Sequence, residues 1–318
     1  MTVPVRNTGD ATDTFEIIAT APGDVTVILP SSTAIASKAL SNMVVQLTPV
    51  RACTTSPGPR VVTLTARSTT NNAIAMSITA TLTVLPFGEP DASLLVLDND
   101  VEPGNTATYT VGLLNGGNVP DTMGLSFTAI DFGLTYRALP TAIPPAWVTL
   151  AASGPTVGPC LSTSTGMSLA VPPDWAGMED ATYAFTVTAT STVTPDSDVA
   201  PGTLFVRATP VSMMYYVKVE IMNLQTAVMA LPPSDVRDGL MDKATAALEK
   251  LCQALDRYLL GDNPPAANLV GATINKLEAF LHQVDAQRGR ELTIAQADAL
   301  EAQTAQIIAD LQAILAVM

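Results

Sequence analysis

The chain has little of what most active sites are built from. Its 318 residues include one histidine and three cysteines, and only 14% of them are charged. A zinc site made of several histidines is excluded by that count. Cys53, Cys160 and Cys252 lie too far apart in sequence for a CxxC motif, a zinc knuckle or a disulfide framework. A single bridge between Cys53 and Cys160 is the alternative, and it requires the two β-carbons to lie close together, which the sequence does not indicate.

Basic residues are also scarce. The chain carries 15 Lys and Arg against 29 Asp and Glu, which gives a net charge of −14. Because nucleic acids and anionic membranes are bound mainly through Lys and Arg, neither is an expected partner. No run of 18 apolar residues is present, so the sequence predicts no membrane span, and the residues after Met1 do not have the order of a signal peptide.

What the sequence does contain is an internal repeat. The frame N-x-G-x-x-x-D-T begins at Asn7 and again at Asn115, and an Ala-x-Ser-Thr segment begins at Ala66 and again at Ala189. Each copy consists of short segments of alternating polarity separated by Gly, Pro, Asn and Asp, which is typical of an antiparallel β-sandwich. We therefore predict two β-sandwiches, over residues 1–86 and 87–210.

The first copy starts too late to be complete. When the copies are aligned, Thr2–Val5 matches Thr110–Leu113, so nothing in the first copy matches the strand predicted at Leu94–Leu97. An uncovered sheet edge exposes unpaired backbone groups. Two explanations stay open. The one we favour is that the chain is a fragment whose upstream part supplies the strand and a signal peptide. The other is that the groove accepts a strand from another chain, which would produce a head-to-tail filament.

The turn and strand sequences of both copies resemble a known group of domains. The segments that carry the resemblance are Glu102-Pro-Gly-Asn, Asn115-Gly-Gly-Asn and the strand from Tyr183 to Ser191. They are similar to the Ig-like repeats of bacterial and archaeal surface proteins, including CARDB-like repeats, and to those appended to secreted glycosidases. The resemblance covers about residues 1–207. It implies an extracellular setting and a spacer or adhesion role, with no active site.

After residue 211 the apolar residues recur with the period of an α-helix. Pro232-Pro233, Gly261 and Gly289 divide this part into four amphipathic segments, the last of which begins with the capping box Thr293–Gln296. We predict an up-down four-helix bundle over residues 211–318. The stretch Leu277–Leu300 resembles the FIMAH module of secreted proteins, over about residues 215–314, and this resemblance implies an interaction or packing module.

Two groups of residues are candidate ligand sites. Asp98, Asp100 and Glu102, between two predicted strands, offer oxygen ligands for calcium, and the alternative is a polar turn. Trp147 and Trp175, with Tyr136 and Tyr183 nearby in sequence, are candidates for stacking on a sugar, and the alternative is core packing. His282 has no nucleophile motif beside it and is interpreted as a surface residue.

The sequence therefore predicts a non-catalytic extracellular structural or adhesive segment that requires no cofactor, with calcium binding as the alternative. The expected partner is a cell-surface or cell-wall component or another protein. One alternative is the accessory, carbohydrate-binding tail of a secreted enzyme whose catalytic domain lies upstream. The other is a surface filament that assembles by β-strand addition through the incomplete first domain.

Overall fold

The computed structural model describes residues 1–131 and 141–318, without the side chains of residues 97, 98 and 153. The first folded part is built from short strands whose side chains alternate between core and surface, as in β2, where Phe15 and Ile17 are buried. Its strands are β1 (Thr2–Arg6), β2 (Asp13–Thr20), β3 (Val25–Ile28), β4 (Thr33–Ile35), β5 (Leu40–Val44), β6 (Gln46–Pro49), β7 (Gly58–Ser68) and β8 (Ala75–Val84).

These strands form two layers. One is the sheet β4-β2-β7-β8. The other contains the pairs β1-β5 and β3-β6, and only the buried residue Val45 separates β5 from β6. The core between the layers is made of the inward-facing apolar residues of both, among them Val3, Val5 and Leu64.

The second folded part repeats this arrangement with additional strands. They are β9 (Pro90–Asp98), β10 (Asp100–Val101), β11 (Thr106–Asn115), β12 (Asp121–Ile130), β13 (Val148–Leu150), β14 (Ser153–Val157), β15 (Ser162–Ala170), β16 (Ala181–Thr190) and β17 (Ser197–Val206). One layer is β13-β15-β11-β9 and the other is β10-β17-β16-β12-β14. All pairings are antiparallel except that of β10 with β17. A single 3-10 turn, Pro145–Trp147, precedes β13.

Comparison of the layers confirms that the first sandwich lacks its first strand. Strand β11 lies between β15 and β9, whereas its counterpart β1 pairs with β5 alone. Within the described residues, no strand takes the place of β9 beside β1. The chain therefore contains two Ig-like sandwiches, of which the first is open along one edge.

Four helices complete the chain. They are α1 (Pro210–Met229), α2 (Asp235–Leu259), α3 (Asn263–Gln287) and α4 (Ile294–Val317). Helix α1 packs against α2 and α4, and α3 packs against the same two helices, which makes a closed four-helix bundle. The predicted capping box at Thr293 is present, and Gly261 and Gly289 follow α2 and α3 with positive φ. The buried stripe of α2 ends at Leu255, and Leu259, one turn further, is 59% exposed.

Each folded part has its own hydrophobic core. The buried apolar residues fall into three clusters, which lie within residues 3–64, 92–206 and 214–314. No helix in the described part of the chain is both long and apolar enough to cross a membrane.

Candidate functional site

The carboxylates proposed for calcium lie at the start of the second sandwich, and one of them is already paired. Asp100 accepts hydrogen bonds from Nε of Arg207, at 2.7 Å, and from its Nη2. These hydrogen bonds, with the positive charge of Arg207, lower the pKa of Asp100 below its ordinary value. The side chain of Asp98 lies outside the described residues. A cation at this place would have to displace the arginine, because the guanidinium occupies both oxygens of Asp100.

The aromatic residues proposed for sugar stacking are buried. Trp147 is 7% exposed and Trp175 is 3% exposed. Nε1 of Trp175 donates to the hydroxyl of Tyr183, and the ring of Trp147 packs edge-on against Tyr183. Tyr136 lies outside the described residues. Since neither tryptophan presents a face to solvent, stacking on a sugar would require the core of the second sandwich to open.

The repeated Asn-x-Gly frame forms a buried corner in each sandwich. Nδ2 of Asn7 donates to the carbonyls of Ala11 and Ile35, and Nδ2 of Asn115 donates to those of Val119 and Val157. In both cases the side-chain oxygen accepts from the backbone of the residue two positions later. The repeat therefore marks a structural hydrogen-bond network and not a ligand site.

The second repeated segment braces the same corner. Oγ of Ser68 accepts from the backbone of Thr70 and Asn71, and Oγ of Ser191 accepts from the two equivalent positions. The side-chain hydrogen bonds of Ser68 and Thr70 lower the pKa of Asp13. Asp13 is thus hydrogen-bonded to its neighbours. Among the described residues, no three His, Cys, Asp or Glu side chains lie close enough together to bind a metal ion.

The glycines of the second corner have a role that the sequence did not indicate. Neither Gly116 nor Gly117 adopts a positive φ, whereas Gly104, in the turn before β11, does. Gly117 is instead required by space, since a β-carbon there would lie 2.7 Å from the α-carbon of Gly88. The close approach brings the segment before β9 against the corner.

A disulfide joins the two sandwiches. Cys53 follows β6 of the first and Cys160 precedes β15 of the second, and the structure bridges them. The sequence left this pairing open because the cysteines are 107 residues apart. The third cysteine, Cys252, is free and partly buried in α2.

Polar contacts reinforce the disulfide. Nδ2 of Asn118 donates to the carbonyls of Thr55 and Leu85, and its side-chain oxygen accepts from the backbone of Phe87. Arg51 lies over the ring of Phe87, 4.5 Å from its centroid, and its Nη2 is 3.1 Å from an oxygen of Asp196. The junction between the sandwiches is therefore held by a covalent bond, buried hydrogen bonds and an ion pair.

The second junction lies between the second sandwich and the helices. Ser212, fully buried in the first turn of α1, donates to the carbonyl of Gly177, and the backbone of Gly177 donates back to that of Ser212. Ala176 and Met178 pack against the helical core. The loop after β15 thus enters the base of the bundle.

A cavity lies along the open edge of the first sandwich. It is a groove of about 730 Å³ between β1 and β8. The apolar residues that line it come from both layers: Val3, Val5, Phe15, Leu64, Ala66, Ile74, Met76 and Ile78. We name this cavity the open-edge groove. It does not contain His282, which is exposed on α3 and far along the chain.

Comparisons with known proteins give only distant structural similarities. No family model and no curated protein matches the chain. Among solved structures, red sea bream transglutaminase is 12% identical with a TM-score of 0.27, over 65% of this chain and 29% of that one. Domains 4 and 5 of the S-layer protein SbsC are 15% identical with a TM-score of 0.24, over 61% and 70%.

A third similar structure contains the fibronectin(III)-like modules of Clostridium thermocellum CbhA. It is 10% identical with a TM-score of 0.20, over 65% of this chain and 85% of that one. At such identities and TM-scores, these similarities say nothing about the chain's ligand or partner. The chain spans less than a third of the transglutaminase.

Proposed function

We propose that the chain is a non-catalytic extracellular segment that acts as a stiff spacer and carries a helical interaction module. The observation that carries the proposal is the Cys53–Cys160 bridge across the junction of the sandwiches. Disulfides persist in oxidising compartments and are rare in the cytosol. The bridge therefore supports secretion or display at the cell surface, in agreement with the resemblance to Ig-like surface repeats.

The spacer role follows from how the junction is built. Domains in one chain move relative to each other by default when their interface is small and polar. Here the disulfide joins the sandwiches, and beside it the amide of Asn118 donates to the carbonyls of Thr55 and Leu85. The covalent bond and these hydrogen bonds together oppose bending of one sandwich away from the other.

The helical module is the part we assign to partner binding. Its resemblance to FIMAH modules supports an interaction role, and large apolar side chains on its surface, such as Met222, Met229 and Leu260, remain exposed. With a net charge of −14, the partner is another protein or a neutral or basic cell-surface component rather than a nucleic acid.

The stiffness of the junction is tested by small-angle X-ray scattering. We expect the wild-type curve to fit one conformation and the Cys53→Ser/Cys160→Ser variant to require a broader range of radii of gyration. Cys252→Ser removes a cysteine outside the bridge and is the matched control, for which the wild-type curve is expected. A wild-type curve as broad as that of the double variant would contradict the spacer role.

The compartment is tested by counting thiols. After export to the bacterial periplasm, the denatured protein should react with one equivalent of iodoacetamide, at Cys252, and with three after reduction. Three reactive thiols without reduction would show that the bridge does not form under oxidising conditions. That result would remove the main support for an extracellular role.

A further inference from the structure

Another cleft lies at the junction of the second sandwich and the helical bundle. It has a volume of about 360 Å³. That volume falls within the range of roughly 300 to 1,000 Å³ found for small-molecule sites. The sandwich contributes the turn before β11, with Glu102 and Pro103, and the helices contribute Tyr215 of α1 and Tyr258 of α2. We name this cavity the tyrosine cleft.

The tyrosine cleft has the accessible aromatic surface that the second sandwich lacks. Tyr109, Tyr183 and Tyr216 are buried, as are both tryptophans. Tyr215 and Tyr258 pack against the helical core but stay partly exposed, and they are the two such tyrosines among the residues that the structure describes. A tyrosine held in this way offers an apolar ring to a ligand while its hydroxyl stays in water.

Local structure holds the walls of the cleft in place. The backbone of Asn105 donates to the carbonyl of Glu102 and closes the turn, in which Gly104 has a φ of +89°. The backbone of Gly104 also donates to the carbonyl of Val171, directly after β15. On the helical side, Pro210 begins α1, whose N-terminus carries a capping box. Walls that are already ordered lose little conformational entropy when a ligand binds.

Three polar groups in the cleft are free to bind a ligand. In the part of the chain that the structure describes, the hydroxyls of Tyr215 and Tyr258 and the carboxylate of Glu102 have no hydrogen-bond partner. Asp100, close to them in sequence, is already bonded to Arg207. A tyrosine hydroxyl can donate or accept, whereas a carboxylate only accepts. A ligand that satisfies Glu102 must therefore supply hydrogen-bond donors.

The charges around the cleft favour a ligand without net charge. Nζ of Lys218 lies 5.8 Å from the centroid of the Tyr215 ring, so this ring already faces a cation. Lys218 repels a second cation, and Glu102 repels an anion. A proline-rich peptide also binds aromatic grooves, but its prolines have no N–H and present only carbonyl acceptors. Hydroxyl groups supply the missing donors without adding charge.

We propose that the tyrosine cleft binds a neutral oligosaccharide whose pyranose rings carry equatorial hydroxyl groups. Equatorial substitution leaves C–H groups on both faces of each ring, and these apolar faces stack on Tyr215 and Tyr258, while sugar hydroxyls donate to Glu102. The inference rests on the interaction role proposed for the helical module and names the class of its partner. It assigns sugar binding to two tyrosines instead of to Trp147 and Trp175.

Isothermal titration calorimetry with four tetrasaccharides tests the class of ligand. Cellotetraose and tetra-N-acetylchitotetraose are neutral and have the required hydroxyls, and we expect at least one of them to bind saturably. Deacetylated chitotetraose, at a pH where its amines are protonated, and β-1,4-linked tetraglucuronate carry opposite charges. Each should bind at least tenfold more weakly than the better neutral probe. No saturable binding of either neutral probe, or tightest binding of a charged one, would overturn the proposal.

Substitutions show whether the cleft carries the binding. Tyr258→Leu keeps an apolar side chain against the helical core and removes the ring, so it should weaken binding at least tenfold. Tyr258→Phe keeps the ring and should weaken binding by no more than about threefold. Glu102→Gln, at an exposed position, should weaken binding at least threefold. Met229→Ala, at the other end of α1, is the control and should leave the affinity unchanged.

Circular dichroism confirms that each variant is folded. Affinity that is unchanged in both Tyr258→Leu and Glu102→Gln would overturn the proposal. NMR with labelled tyrosine rings then locates the sugar, and we expect nuclear Overhauser effects from its axial ring protons to Tyr215 and Tyr258. Contacts with other residues alone would also contradict the assignment. None of these readouts involves the disulfide, so their failure removes the oligosaccharide, whereas failure of the scattering and thiol experiments removes the spacer and extracellular roles.

Discussion

Gly117 lies against Phe87 so closely that a β-carbon on Gly117 would collide with the carbonyl oxygen of Phe87 and with the α-carbon of Gly88. Gly9, its counterpart in the first sandwich, has only the side-chain oxygen of Asn7 within reach of such a β-carbon, at 3.2 Å. The difference arises because the segment that leads into β9 has no counterpart in the first sandwich. Gly117 is therefore crowded by the segment before β9, whereas Gly9 has no such segment against it.

The first prediction uses this pair. Gly117→Ala should lower the free energy of unfolding of the second sandwich by about 1 to 3 kcal/mol, because backbone must move to admit the methyl group. Both tryptophans lie in that sandwich, so their fluorescence during urea unfolding reports it. Gly9→Ala, followed by calorimetry, should change stability by less than about 0.5 kcal/mol. Equal losses would mean that the close approach at Gly117 is not what requires glycine.

The second prediction concerns the buried amide of Asn115. Asn115→Ala leaves the carbonyls of Val119 and Val157 without this donor, and we expect a loss of about 2 to 4 kcal/mol in urea unfolding. Asn105→Ala, at an exposed position of the turn before β11, is the matched control and should cost less than about 0.5 kcal/mol. A loss below 1 kcal/mol at Asn115 would show that water replaces the amide.

The secondary structure around these corners could be predicted from the sequence, but their hydrogen-bond partners could not. Alternation and helical periodicity predicted the sandwiches and the four helices because burial repeats along each element. The repeat also revealed the missing strand, since β1 could be aligned with β11. The hydrogen-bond partners of Asn115 could not be predicted, because Val157 is remote in sequence and meets it only through the fold.

The candidate sites could not be predicted for the same reason, because the residues that decide them are remote in sequence. Whether Cys53 meets Cys160 depends on how two domains dock, and whether Trp175 is buried depends on the loop that carries it. Arg207, which neutralises Asp100, lies 107 residues away along the chain. Local pattern cannot report such pairings.

The third prediction is a pH dependence at Asp100. Its folded pKa is lowered by Arg207, so its contribution to stability is present above the unfolded pKa and is lost as pH falls below about 4 through the folded pKa. In Arg207→Gln the carboxyl pKa, followed by NMR, should rise toward its ordinary value. The loss of stability between pH 5 and pH 2 should shrink accordingly. An unchanged pKa would show that the ion pair does not form in solution.

The fourth prediction concerns calcium. Because Arg207 already neutralises Asp100, we expect neither added calcium nor EDTA to change the melting temperature of the wild-type chain. Arg207→Gln removes the competing cation and is measured in parallel. A melting temperature of the wild type that falls with EDTA would support the calcium hypothesis for Asp98, Asp100 and Glu102.

The bridge between Cys53 and Cys160 also determines what a protease can achieve. Any single backbone cut between the two cysteines leaves both fragments attached to each other, since the bridge spans all of β7 to β14. A nicked chain would therefore keep its full mass until it meets a reductant. Cleavage between β17 and α1 has a different result, because the helical module can then be released while the two sandwiches stay linked.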